Sequence, residues 1–389
     1  MRSRSKNISS TTTPAPGAAG RPRILIAAGG TGGHVYPAIA IADALKAARP
    51  EAEILFAGTR DHMEWHAVPE AGYDIRSIWI SGFHRRLTLK NLLFPVKLLT
   101  SLVQSYRIIS NFKPNIVVSC GGYVAGPVGW VAVKRGLPLV IQEQNSYPGV
   151  TNRLLGKKAE HIFTAFEEAN SYFPENKTTV AGNPTRSELA DADAASAYQV
   201  FGFKADKRTL LVLGGSGGAR AINEAMAANI DTLHNSQELQ VIWQCGRSYY
   251  DKYRNQVNAA ELQNLRLKDF LNNMDQAYAV ADLVVSRAGA LSCSELALTG
   301  KASILVPSPH VAGDHQTKNA RSMADEGAAV LVKDSKLQET LAALVAELMN
   351  DQERLKAMQK AALKLARPHA ARDIATEILT LAETSKQTE

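Results

Sequence analysis

Cysteine is scarce in this sequence: Cys120, Cys245 and Cys293 are the only three in 389 residues, and no two form a C-x-x-C pair. That excludes a disulfide framework and a thiolate zinc site, and it fits a reducing cytosol. Long apolar runs are missing as well. No uninterrupted stretch approaches the ~18 residues that a spanning helix needs, so an integral membrane protein is not expected. There is no P-loop Gly-Lys-Ser/Thr, no clean G-x-G-x-x-G fingerprint and no H-E-x-x-H pair, which leaves P-loop, dinucleotide and zinc-peptidase chemistry without their usual carriers.

Acidic residues are absent from two stretches. Residues 1–23 hold Arg2, Arg4, Lys6, Arg21 and Arg23 with no acid, and residues 81–114 hold Arg85, Arg86, Lys90, Lys97, Arg107 and Lys113 with no acid. The net charge of +7 resides in these two blocks, and the remaining chain is mildly acidic. A charge confined in this way is not a nucleic-acid signature, and no nucleic-acid partner is expected.

What is present is ordinary for a globular protein: 45% apolar and 21% charged residues, at a length that fits two domains of roughly 100–200 residues each. Residues 1–21 are rich in Ser, Thr, Pro and Gly and nearly devoid of large apolar side chains. They read as a disordered tail, without the apolar stretch that a secretory signal requires. From Arg23 onward, short β-branched runs alternate with amphipathic segments such as 35–48, 219–233 and 337–349. The runs are Ile24–Ala27, Ile54–Phe56, Ile116–Val118, Leu139–Ile141, Leu210–Leu213, Val241–Trp243, Leu283–Val285 and Ile304–Val306. Nearly continuous apolar strands between helices imply an α/β protein with parallel sheets.

An internal echo divides the chain. Strand 24–27 runs into Gly29-Gly30-Thr31-Gly32-Gly33-His34, and strand 210–213 runs into Gly214-Gly215-Ser216-Gly217-Gly218 about 185 residues later. Each loop opens its own half, which implies two Rossmann-like domains in tandem. The expected boundaries are an N-terminal domain over 22–182, a linker over 183–187 (beginning Asn183-Pro184 after a short strand near Thr178–Val180), a C-terminal domain over 188–369, and a closing segment over 370–389.

A glycine-rich turn from strand to helix lets backbone N–H groups approach phosphate, and the helix N-terminus adds partial positive charge. The same glycines also serve plain tight turns. His34 opens the first helix at the carboxyl end of a strand, where it is a general base, a phosphate donor or merely a helix-start residue. The turn Gly121-Gly122-Tyr123-Val124-Ala125-Gly126-Pro127 and the quartet Gln142-Glu143-Gln144-Asn145 follow neighbouring strands and fall on the same rim. In the second half, Ser286–Glu295 and Pro307–Ala320 end strands in the same way. Glu295, one turn into a helix, suits either ribose hydroxyls or the helix dipole. Asp191 and Asp193 form the only Asp-x-Asp pair, and in an alanine-rich stretch they read as surface rather than metal ligands.

Taken together, the loops 29–34, 121–127, 143–145, 182–184, 214–223, 287–295 and 314–320 resemble the MurG family of N-acetylglucosaminyltransferases over residues 22–385. The resemblance implies a GT-B fold, two Rossmann-like domains facing a central cleft, with the last helix (about 370–384) crossing back to the first domain. It implies inverting transfer of N-acetylglucosamine from UDP-GlcNAc to the 4-hydroxyl of MurNAc in undecaprenyl-pyrophosphoryl-MurNAc-pentapeptide, a step of peptidoglycan synthesis and so of cell shape and division. The C-terminal domain then takes the donor. Ser216 and Arg186 contact its diphosphate, the Leu271 backbone reads uracil beside Phe270, and Ala290, Leu291 and Ser292 cradle phosphate. Glu295 takes the ribose, and Gln316, with His315 as a further candidate, holds the sugar. Thr31, Gly32, Gly33 and Asn145 reach the donor from the opposite side. His34, Tyr123 and Glu143 face the acceptor, with His34 the first candidate base and Glu143 the second. Two departures are visible: Gln142 stands where many members carry His, which puts an acid–base role there in question, and Ser292 replaces a common Thr but keeps the hydroxyl. Neither a metal nor a cofactor is expected.

The resemblance also bears on residues 81–114. On composition, this block is either a core helix with a basic outer face or an interfacial patch. A lipid-borne acceptor favours the patch, with Arg85, Arg86, Lys90, Leu92, Leu93 and Phe94 meeting an anionic membrane surface. The expected location is therefore peripheral, on the cytoplasmic face of the plasma (inner) membrane, with other cell-wall synthesis proteins as candidate partners. The competing readings are a UDP-GlcNAc 2-epimerase, which needs neither lipid nor patch, a non-catalytic lipid-recruiting subunit, and, more weakly, a dehydrogenase.

Overall fold

The computed structural model describes residues 21–82, 93–185, 187–215, 217–234, 238–259 and 262–384. All but the last residue of the expected tail falls outside them. Two parallel sheets organise the chain. The first has seven strands: β1 (Arg23–Ala27), β2 (Glu53–Gly58), β3 (Asp74–Ser77), β4 (Ile116–Ser119), β5 (Leu139–Glu143), β6 (His161–Thr164) and β7 (Thr178–Val180). Their order is β3-β2-β1-β4-β5-β6-β7. The second has six: β8 (Arg208–Leu213), β9 (Leu239–Gln244), β10 (Leu265–Lys268), β11 (Leu283–Ser286), β12 (Ala302–Leu305) and β13 (Ala329–Leu331), in the order β10-β9-β8-β11-β12-β13.

The strands form here because they bury both faces. In β1, Ile24 and Ile26 enter one apolar cluster while Leu25 and Ala27 enter the other. In β8, Leu210 and Val212 divide from Leu211 and Leu213 in the same way. Pairing Ile24 with Ile54 and Ile116, and Leu210 with Val241 and Leu283, fixes the register of the central strands. Four strands are absent from the sequence-based reading: β3, β6, β10 and β13. Three of them are edge strands. Asp-Ile-Arg-Ser has three polar residues in four and Leu-Arg-Leu-Lys two, because an edge needs only one apolar face, and such short mixed runs resemble loop sequence. The expected helix over 219–233 is two helices, Arg220–Ala228 and Ile230–His234, parted at Asn229, whose side chain donates to the Ala225 and Gln338 carbonyls.

The final helix, Ala370–Thr384, packs on the first sheet. Its Ile374, Ala375, Ile378, Leu379 and Ala382 are buried in the cluster that holds Ile24 and Ile26, and Arg49 pairs with Glu383 at 2.5 Å. Fully burying one such aliphatic side chain contributes about 1.5–3 kcal/mol, so the C-terminus is firmly tied to the N-terminal half. Both sheets reverse strand order beside their first strand, between β1 and β4 and between β8 and β11. Ligands of open α/β sheets bind at such a switch point, outside the carboxyl ends of the strands.

Candidate functional site

At the first switch point β1 leads through Gly30 (φ 92°) to Thr31, which is extended and exposed, and then into the helix Gly32–Ala48. The N–H groups of His34 and Val35 bond the Thr31 carbonyl, while those of Gly32 and Gly33 in the first turn have no acceptor within the helix. The turn after β4 presses against this loop. A Cβ on Gly122 would lie 2.2 Å from the Gly29 carbonyl oxygen, and its φ is 79°, so only glycine permits the contact. Glu64 braces the loop from below. Wholly buried, it accepts from the Gly30 N–H at 3.1 Å with one oxygen and from the Thr59 N–H and hydroxyl at 3.0 and 2.7 Å with the other. Nothing in the local sequence singles out Glu64, since an acid at a helix start reads as an ordinary dipole partner.

His34 is half-buried, with Nδ1 at 2.9 Å from Gln144 Oε1. The quartet 142–145 divides sharply by role. Gln142, Glu143 and Gln144 are buried. Both oxygens of Glu143 are taken: Oε1 by the Asn145 N–H and amide, Oε2 by the Gly149 N–H at 3.1 Å and Asn152 Nδ2 at 2.9 Å. A carboxylate held by four donors and closed to solvent anchors the 145–152 loop. This geometry does not suit the expected acceptor-facing base, and it leaves His34 as the candidate. Asn145 is half-buried, and Tyr123 is 55% exposed, its ring packed on Gly82.

In the second half, Gly289 caps the helix Ala290–Leu298, with Ala290 buried and Leu291 and Ser292 half-buried in its first turn. Glu295 accepts from the Tyr278 hydroxyl at 3.0 Å through Oε2. Leu271 is buried, and the Arg247 guanidinium lies over the neighbouring Phe270 ring. Gln316 Oε1 accepts from the Ser308 N–H at 2.8 Å, which fixes the amide and leaves its nitrogen unpartnered among the described residues. Arg186 and Ser216 lie outside the described residues.

The halves meet at the carboxyl ends of both sheets, where the helices Gly32–Ala48 and Ala290–Leu298 touch. Asn183 donates to the Gln144 carbonyl at 3.1 Å and to Ser294 Oγ at 3.0 Å. Ser322 donates to Glu168 at 2.5 Å, and Lys318 Nζ lies 3.5 Å from the Tyr147 ring centroid. Of these linking residues, Tyr147, Glu168 and Ser322 lie outside the motifs read from the sequence, and for none of them does a local pattern mark the side chain as crossing between domains.

The helix Phe94–Phe112 is inverted relative to an ordinary surface helix. Ser101 and Ser105 are fully buried, their hydroxyls bonding the Leu98 and Ser101 carbonyls. Leu93, Val96, Leu99, Val103 and Tyr106, spaced three to four residues apart, are 51–66% exposed. Phe94 is half-buried. Trp130 and Trp79 lie exposed nearby, with Lys134 and Lys97 over their rings and Arg135 over Tyr106. Arg85, Arg86, Lys90 and Leu92 lie outside the described residues. Among the described residues no helix is long and apolar enough to cross a membrane, and no group of three or more His, Cys, Asp or Glu could hold a metal.

Comparison with known proteins agrees with this architecture. Residues 24–164 match the glycosyltransferase family 28 N-terminal domain, and residues 209–378 match the C-terminal domain of the same family. The chain is 48% identical over 362 residues to the UDP-N-acetylglucosamine–N-acetylmuramyl-(pentapeptide) pyrophosphoryl-undecaprenol N-acetylglucosamine transferase of Salinibacter ruber, covering 93% of this chain and 97% of that one. It is 46% identical over 366 residues to the enzyme of the same name from Flavobacterium psychrophilum, covering 94% and 99%. Among solved structures it is similar to Acinetobacter baumannii MurG, with a TM-score of 0.73, 31% identity and coverage of 92% and 99%. A UDP-GlcNAc 2-epimerase from Neisseria meningitidis, at TM-score 0.66 and 12% identity over 92% and 99% of the chains, shares the fold alone.

Proposed function

The chain belongs to the MurG family of N-acetylglucosaminyltransferases, within glycosyltransferase family 28, and from that membership we propose its reaction. It transfers N-acetylglucosamine from UDP-GlcNAc to the 4-hydroxyl of MurNAc in undecaprenyl-pyrophosphoryl-MurNAc-pentapeptide. The acceptor oxygen bonds C1 of the sugar as the bond from C1 to the diphosphate breaks, which inverts that carbon in one displacement. A base takes the hydroxyl proton, and UDP leaves with the electron pair.

The observation that carries this reading is the meeting of the two glycine-loop halves. His34, in the first loop, is joined through Gln144 and Asn183 to Ser294 on the helix that starts at Ala290. His34 is the proposed base. Thr31, Gly32, Gly33 and Asn145 approach the donor from the N-terminal half, and Tyr123 meets the acceptor. On the other side, the N–H groups at Ala290, Leu291 and Ser292, together with Arg186 and Ser216, neutralise the diphosphate. Such preorganised donors act at the charge that develops on the leaving group. The Leu271 backbone reads the base, Glu295, oriented by the Tyr278 hydroxyl, takes the ribose, and the nitrogen of Gln316 donates to the sugar.

The exposed apolar stripe over Leu93–Tyr106, with its rim of Lys97, Lys134 and Arg135, is the proposed seat on an anionic membrane surface. Aromatic and aliphatic side chains enter the headgroup layer while the cations pair with lipid phosphates. Arg85, Arg86 and Lys90 extend the same basic block in sequence. The proposed location is the cytoplasmic face of the membrane, and other cell-wall synthesis proteins are proposed partners.

The decisive experiment measures UDP release with and without lipid-linked MurNAc-pentapeptide. Acceptor-dependent release with labelled GlcNAc in the lipid product is expected. Acceptor-independent formation of ManNAc by mass spectrometry would instead make the chain an epimerase, and no turnover with intact donor binding would make it a recruiting subunit.

A further inference from the structure

We propose that Gln144 is a positioning residue that sets the tautomer of His34, holding the proton on Nδ1 and leaving Nε2 as the basic nitrogen. The proposal deepens the reading of His34 as the base and rests on it for its catalytic consequence.

The orientation of the Gln144 amide follows from its surroundings. Its nitrogen donates to the Cys120 carbonyl at 2.6 Å, to the Gln142 carbonyl at 3.2 Å and to the Gln142 side-chain oxygen. All three neighbours are acceptors. Turning the amide over would set an oxygen against three oxygens in a site that is 1% exposed, where an unpaired polar group is costly. Gln144 Oε1 is therefore the atom that faces His34, and an acceptor there requires an N–H on His34 Nδ1. In a neutral imidazole the other nitrogen then carries the lone pair. Nε2 has no partner among the described residues.

The chain of bonds beyond Gln144 keeps one direction. Gln144 donates to Gln142, Gln142 Nε2 donates to Asn183 Oδ1 at 3.1 Å, Asn183 Nδ2 donates to Ser294 Oγ at 3.0 Å, and Ser294 donates to the Ala290 carbonyl at 3.0 Å. Head-to-tail bonds polarise one another. The series starts at His34 in one domain and ends on the first turn of the Ala290–Leu298 helix in the other. It also gives Gln142 a purpose: wholly buried beneath Gln144, it supplies two of the oxygens that stop the Gln144 amide from turning.

The test uses full-length protein labelled with 15N in histidine, with the His34 signals identified by their loss in His34→Ala. Long-range 1H–15N correlation spectra above the imidazole titration are expected to show Nδ1–H in the wild type. Gln144→Leu should shift His34 toward Nε2–H and lower kcat about 10²-fold, the usual share of a general base, with the acceptor KM and UDP binding unchanged. A wild-type His34 protonated on Nε2 overturns the proposal, as does a Gln144→Leu protein that keeps both Nδ1–H and full kcat. The wild-type spectrum decides even where a variant fails to fold. If His34 carries Nδ1–H but His34→Ala turns over normally, the tautomer assignment stands and the base reading falls.

Discussion

Asn319 Oδ1 accepts from both the backbone N–H and the hydroxyl of Ser146, at 3.1 and 2.9 Å, and both residues are buried. One asparagine of the C-terminal half thus satisfies two donors of the N-terminal half, while its own nitrogen donates to the Ala288 carbonyl at 3.2 Å. Asn319→Ala orphans three buried polar groups, each costing about 1–3 kcal/mol where water cannot reach. The expected result in urea unfolding is a loss of at least about 1–3 kcal/mol, with faster amide exchange over 145–152. Stability within about 0.5 kcal/mol of wild type would show that water replaces the contact.

His34→Ala should lower kcat about 10²-fold or more while leaving UDP binding intact, as read by steady-state kinetics and calorimetry. A variant with wild-type kcat would move the proton acceptor elsewhere.

Gly122→Ala and Gly136→Ala separate two costs. Both glycines have positive φ, 79° and 70°, but only the first would drive a Cβ to 2.2 Å from a backbone oxygen, whereas Gly136 has open space. Strain at φ alone costs about 1–3 kcal/mol. Gly122→Ala should therefore lower the thermal midpoint further than Gly136→Ala and also impair turnover. Equal effects would mean that the two loops do not press together.

Leu99→Glu with Val103→Glu places charge in the middle of the exposed apolar stripe. Binding to vesicles containing anionic lipid should fall, measured by co-sedimentation, with turnover of a soluble acceptor analogue retained. Charge reversal of Arg85, Arg86 and Lys90 should weaken the same binding. Unchanged co-sedimentation in both proteins would count against the membrane seat.

The three thiols should be silent in the folded protein. Burial pushes Cys120 and Cys293 up to about 12 and Cys245 to about 11, so at pH 8 almost no thiolate exists to react. Mass spectrometry after iodoacetamide treatment should find no label in the native protein and three labels after unfolding. Labelling of native Cys120 would mean that the pocket around the Gln144 amide opens.

β1, β2, β4, β5, β8, β9, β11 and β12 were legible because each holds a continuous apolar run that must be buried on both faces. β3 and β10 were not, because an edge strand such as Asp74–Ser77, with one apolar residue in four, needs only one apolar face; β6 has polar residues at both ends and β13 spans only three residues. The glycine loops and His34 were legible from spacing and strand ends. Glu143 read as an acceptor-facing candidate base, and only its four donors reveal it as an anchor.

By itself, the sequence determined the alternation of strand and helix, the doubling of the glycine loop and the family. Those are local patterns, repeated along the chain and readable without knowing what lies opposite. The tertiary structure alone decided which polar side chains meet across the halves: Gln144 on His34, Asn183 on Ser294, Asn319 on Ser146. It also decided that the helix after Leu93 turns Ser101 and Ser105 inward and Leu99 and Val103 outward. Such choices depend on partners far away in the chain. Burying a polar group is tolerable only when a specific partner arrives, and no local pattern records that arrival.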